Sequence, residues 1–145
     1  MTADPFYRAL ADAMTECCAV YEPVHRADRA IGDLRLRDAN VPARSFFAEV
    51  GDHRIGELLV ERAPAWLSSG LFDALCRTWR TGEPMTRQIF SLEVPGREPP
   101  RRIIDVSARK LPGALLLCWR PISSARELVS EGGEGETGSR GRPAR

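Results

Sequence analysis

The side chains able to do chemistry are few, and their spacing suits little of it. Four cysteines are present, at Cys17, Cys18, Cys76 and Cys118, beside two histidines, His25 and His53. Adjacent cysteines rarely both point at one tetrahedral ion, and no second ligand pair stands near Cys17-Cys18, His25 or His53, so no metal site is expected. Nothing in the chain reads as a Gly-rich phosphate loop, a Ser-His-Asp set or a close carboxylate pair. His53 falls in the polar run Gly51-Asp52-His53-Arg54, which predicts a solvated loop histidine. Cys76 falls toward the apolar side of a helix, where a thiol behaves as an inert core atom. With no secretory signal, all four thiols are expected reduced and buried. Asp105 is the one carboxylate to consider as a base inside a cavity, and strand alternation puts it on the wet face.

At 145 residues the chain fits one domain with a real core. Hydrophobic residues make up 43%, charged residues 28%, and the formal net charge is +1, so nothing steers it toward nucleic acid or an acidic membrane surface. Lys110 is the only lysine, and the arginines are spread along the sequence instead of clustering on one element as a nucleic-acid reader requires. That bias fits a bacterium with a GC-rich genome. The longest apolar run, residues 114–119, is too short to cross a bilayer, and the N-terminus has neither a basic start nor an apolar run, so a cytoplasmic protein is expected.

The elements that must position these residues follow from period and punctuation. Asp4-Pro5 starts a helix, and Phe6, Leu10, Ala13, Met14 and Cys17 recur on one stripe, predicting an amphipathic helix within residues 1–17. Val20, Tyr21 and Val24, a polar turn at 26–29, then Leu34 and Leu36 alternating with Asp33, Arg35 and Arg37 predict a hairpin. Asn40 caps the next helix, with Pro42 in its first turn, Ala43, Phe46, Phe47 and Val50 on its apolar face, and Gly51 as a left-handed stop. Residues 55–66 read as short helical turns. Ser68 or Ser69 caps a longer helix lined by Leu71, Leu75 and Trp79 and stopped by Gly82 and Pro84. The period then becomes two: Phe90, Leu92 and Val94 share one strand face, and Ile104, Val106 and Ala108 another, with turns at Pro95-Gly96 and Pro112-Gly113. Ala114–Ile122 is apolar on both faces, as a central strand requires. The segment 124–145 is expected to be a short helix followed by a disordered tail rich in glycine and charge.

Asp38-Ala39-Asn40 with Pro42-Ala43, then Ile55-Gly56-Glu57-Leu58-Leu59, Leu71-Phe72 running to Thr81-Gly82-Glu83-Pro84, Asp105-Val106-Ser107-Ala108 and Leu116-Leu117-Cys118-Trp119-Arg120 follow one another in a telling order. Over residues 6–123 that order resembles a PAS domain. The resemblance implies an α+β fold: a five-stranded antiparallel sheet with short helices packed on one face, spanning 18–123, and an N-terminal amphipathic helix over 1–17 acting as a dimer element or sheet cap. It further implies a sensory or protein-interaction module of bacterial signal transduction or transcription regulation, without catalysis of its own, acting through another chain. Where many PAS domains end in an Asp-Ile-Thr-like triplet, this chain has Pro121-Ile122-Ser123, which removes a carboxylate and a backbone donor from the usual relay. No flavin-adduct cysteine motif lies between Val50 and Ser69, and the helix over 71–81 has no histidine for haem iron, so no cofactor is expected.

Between sheet and helices the expected residues are Tyr21, Leu36, Phe46, Phe47, Leu58, Trp66, Leu75, Trp79, Gln88, Phe90, Ile104, Val106 and Ser107. Two readings of them stand: a filled core, or a pocket for a small apolar ligand with Tyr21, Gln88 or Ser107 as its polar groups. Phe6, Leu10, Met14 and Trp119 are the candidate interface, for a homodimer or a partner regulator, Trp119 being placed on the outer sheet face. The rival from another class is a ketosteroid-isomerase-like cup, an enzyme or ligand binder, which needs an acidic or histidine base inside its cavity.

Overall fold

Five alternating segments pair into one antiparallel sheet, and the residues between the second and third strand supply its helical cover. The computed structural model describes residues 5–122. Its elements are α1 Pro5–Ala13, β1 Cys17–His25, β2 Ile31–Ala39, α2 Val41–Val50, α3 Leu59–Arg62, α4 Ala65–Ser68, α5 Leu71–Thr81, β3 Met85–Glu93, β4 Arg101–Leu111 and β5 Ala114–Ile122. The strands lie in the order β2-β1-β5-β4-β3, so the five-stranded antiparallel sheet expected of the sequence is present. α2 packs on β1, α3 on β2, α4 on β3, and α5 on β3 and β4. The expectations for 124–145 and for the side chain of Phe6 lie outside what the structure describes.

β5 has a strand on either side, which is why its sequence is apolar throughout. Leu115, Leu117 and Trp119 face the helices and are fully buried, while Leu116 and Cys118 point to the other face and are half-buried. The registers Val106 opposite Trp119 and Ile104 opposite Phe90 carry this inner face across the sheet. Leu34, Leu36, Phe47, Leu59, Trp66, Leu71, Leu75 and Leu92 complete one continuous core.

The corner between β2 and α2 turns on Asn40, 2% exposed. Its Oδ1 accepts from the Ala43 N–H at 3.1 Å, capping α2, and from the Cys18 N–H at 2.9 Å. Its Nδ2 donates to the Ala11 carbonyl at 2.8 Å and the Glu16 carbonyl at 3.0 Å. Both lone pairs and both hydrogens of the amide are thus used. To bring those two carbonyls to one amide the chain must leave the helix after Ala13. Cys17 therefore does not continue the helical stripe; it opens β1 with its side chain buried. α1 is further held by Arg8, which pairs with Asp38 and donates to the Ala39 carbonyl, and by Asp12, which accepts from the Val41 N–H.

Two local expectations are corrected. Gly51 has φ 176°, an extended value open to any residue, and the left-handed residue is the next one, Asp52, at φ 56°. Leu59, not Leu58, enters the core, because Leu58 bridges to Arg35 of β2 and is left half-buried. No helix can satisfy its own first N–H groups, and the N-cap residue Leu58 has no side-chain acceptor to satisfy those of α3. Asp33 of β2 does so from across the fold: its carboxylate accepts from Val60 at 2.8 Å and Glu61 at 3.2 Å as well as from Leu34.

Replacing Asn40 by alanine strands the Glu16 carbonyl and two N–H groups in a closed corner, while the Ala11 carbonyl keeps the Met14 N–H. The expected loss is about 3 kcal/mol, since each buried group left unpaired costs ~1–3 kcal/mol and some regain water. Urea unfolding of Asn40→Ala checks it, and a loss below about 1 kcal/mol would show that the corner does not depend on this amide.

Candidate functional site

Against the inner face of β1 and β5, the rings of α2, α4 and the 51–55 loop form one aromatic body. Phe47 is its centre: its ring centroid lies 5.0 Å from His53, 5.4 Å from Trp119 and 6.2 Å from Trp66. Tyr21 stacks on His53 at 5.8 Å with planes 11° apart, and Trp119 meets Phe46 and Trp66 edge-on, each at 5.6 Å. The left-handed turn at Asp52 aims the next side chain inward, so His53 is 4% exposed and belongs to the core. The solvated histidine expected of that polar run is thereby corrected.

These rings carry polar atoms the core does not satisfy. Tyr21 Oη, both ring nitrogens of His53 and Trp119 Nε1 have no hydrogen-bond partner among the described residues. Glu57 Oε1 lies 4.0 Å from His53 Nδ1, beyond hydrogen-bond reach. Burial lowers the His53 pKa to about 4, with Arg62 acting the same way and Glu57 and Asp33 opposing. Burial, then the charge of Asp33, raises the Tyr21 phenol well above its ordinary range. Both side chains are therefore neutral near pH 7.

A surface cleft ends against the edge of the His53 ring, whose two nitrogens are closed off from solvent. The cleft, of about 390 Å³, is lined by Leu36, Ala48, His53 and Ile55 with Arg44, Asp52 and Arg54. Arg44 donates to the Ala39 carbonyl, and Arg54 pairs with Asp52 at 3.1 Å on the surface. An apolar floor with the Arg44 guanidinium and the Arg54–Asp52 pair at the rim suits a small molecule with an acceptor end directed at Arg44.

The residues expected between sheet and helices divide accordingly. Tyr21, Leu36, Phe46, Phe47, Trp66, Leu75, Ile104 and Val106 are buried together. Phe90 is partly buried, and Trp79 lies at the rim, with Lys110 Nζ 4.4 Å above its ring and His25 6.4 Å away. Gln88 is on the helix side but exposed, because the edge strand leaves a groove against α5 there. Ser107 alternates with Val106 and so faces the outer side, where its Oγ accepts from the Arg87 N–H. Trp119, placed outside by the sequence reading, is 0% exposed on the inner face, so it is no interface anchor. Leu10 and Met14 are 54% and 41% exposed. Asp105 is on the outer face as alternation predicts, yet it is buried, bound by Arg87 at 2.7 Å and near Arg120 at 3.7 Å. It points away from the interior, so it is not a base inside a cavity.

No family model matches the chain, and no curated protein matches it in sequence. Solved structures do match. A domain of the sensory box sensor histidine kinase/response regulator from Geobacter sulfurreducens superposes with a TM-score of 0.56 at 19% identity, over 79% of this chain and 90% of that one. The PAS domain of BvgS from Bordetella pertussis gives 0.53 at 19% identity, over 89% and 93%. The chain has the PAS fold.

Because His53 protonates near pH 6.5 in the unfolded chain and at about 4 in the folded one, the unfolded state binds more protons between these values. This contribution to stability is therefore complete above pH 6.5 and is lost as pH falls toward 4, by about 3 kcal/mol at most. His53→Phe, which keeps a ring against Tyr21 and Phe47, is expected to remove that part of the pH dependence. Urea midpoints of both proteins from pH 7 to 4 check it; parallel curves would place His53 in water.

Proposed function

We propose that this chain is a cytoplasmic bacterial sensory module that binds a small carboxylate with an apolar body in the His53 cleft, performs no catalysis, and signals as a homodimer or through a partner regulator. One observation carries the reading: a buried, neutral histidine with both nitrogens unpartnered among the described residues forms part of a cleft edged by Arg44 and Arg54. Leu36, Ala48 and Ile55 take the apolar body, Arg44 takes the carboxylate, and the His53 ring turns toward the ligand to supply one donor or acceptor. The PAS fold supports a sensory role, since matching structures include a domain of a sensor histidine kinase. The exposed Leu10 and Met14 on and after α1 supply apolar surface for pairing.

Thermal denaturation of the full chain against a panel of small aromatic and aliphatic monocarboxylates at millimolar concentration is the test. A rise in Tm with at least one of them is expected, reduced in Arg44→Ala and abolished in His53→Phe. A panel that leaves Tm unmoved, or a rise that both variants keep, would reject the cleft.

A further inference from the structure

The outer face of the sheet holds a pair of side chains that the cleft does not use. Cys18 of β1 stands directly opposite Cys118 of β5. The main-chain N–H and C=O of Cys18 both turn the other way, to Asn40. In an antiparallel ladder such a residue forms a non-hydrogen-bonded pair with its neighbour, the arrangement in which Cα atoms come within about 4.5 Å and side chains lie closest. The two sulfurs are 3.2 Å apart. A disulfide accepts Cα separations from about 4.4 Å and has an S–S length near 2.05 Å, so side-chain rotation closing about 1.2 Å completes the bond. Both thiols are half-buried and so within reach of solvent, whereas Cys17 points into the core and Cys76 sits on α5.

The pair is also asymmetric. Either sulfur can donate to the other; with Cys118 as the donor, the bond lowers the Cys18 pKa against burial and the charge of Glu16. The same bond and burial raise that of Cys118, which keeps its proton. The thiolate is the nucleophile in disulfide exchange, so Cys18 attacks first and Cys118 resolves.

We propose that Cys18 and Cys118 are a redox-active dithiol that closes to an intramolecular disulfide by exchange with a low-molecular-weight disulfide. The Cys18 thiolate attacks one sulfur of the oxidant, whose S–S bond breaks and whose other half leaves as a thiolate. That thiolate takes the Cys118 proton. The Cys118 sulfur then attacks Cys18 in the mixed disulfide and expels the second half, which takes up the proton Cys18 had given to water. Two electrons and two protons pass from the cysteines to the oxidant, yielding two molecules of its thiol. The new bond lies one rung from the end of the β1–β5 ladder, where the chain enters the sheet from α1, and fixes β1 to β5 at that point.

The test equilibrates the reduced full chain in glutathione buffers of rising oxidised fraction, quenches with acid, alkylates, and reads intact mass and peptide map. The expected product has lost two hydrogens, with Cys18 joined to Cys118 and both Cys17 and Cys76 alkylated. Cys118→Ser is expected to stop at a glutathione adduct on Cys18, and Cys18→Ser to react more slowly at Cys118. The proposal is overturned if the unaltered chain keeps four alkylatable thiols in fully oxidised buffer, joins Cys18 to Cys17, or accumulates only adducts or intermolecular dimers.

Discussion

The amide of Asn40 is the constraint on which the rest of the chain is arranged. It caps α2, holds the start of β1 and gathers one carbonyl of α1 and one of the link that follows it, so one side chain fixes where three elements meet. Because the Cys18 main chain is spent on Asn40, the rung it shares with β5 has no hydrogen bonds and brings two sulfurs together. Because α2 starts at that corner, Phe46 and Phe47 land over Trp119. The interior and the outer face both inherit their geometry from this residue.

A buried polar group costs free energy unless it is paired, and this fold treats its buried groups in two ways. Asp33 and Asp105 are fully engaged, the first by three backbone N–H groups and the second by arginines. Tyr21, His53 and Trp119 stay among rings, neutral and without protein partners among the described residues. The first kind holds the fold together. The second kind leaves polar atoms unpaired in the aromatic interior, a cost that the packing of the surrounding rings must offset.

Signals that are local in sequence were legible, and those that depend on register were not. The Asn40 cap, the Gly82 stop and the period-two strands each involve residues within a turn of one another, and the structure has them where the sequence puts them. Trp119 was misplaced because Ala114–Ile122 is apolar on both sides, which leaves alternation with nothing to distinguish inside from outside. His53 was misread because its neighbours are polar, while its burial follows from a backbone turn at Asp52 that composition does not encode. Leu58 and Leu59 differ by one position, and a bridge to Arg35 chose between them. Cys18 and Cys118 are 100 residues apart, so only the strand pairing reveals them as neighbours.

The attachment of α1 has its own consequence. The helix is fastened by Arg8, Asp12 and the Asn40 amide, while Leu10 and Met14 remain in contact with water. Its release breaks the contacts of Arg8 and Asp12 and the bond from the Asn40 amide to the Ala11 carbonyl. Because that bond is one of the four that close the β2–α2 corner, the position of α1 and the integrity of the corner are coupled.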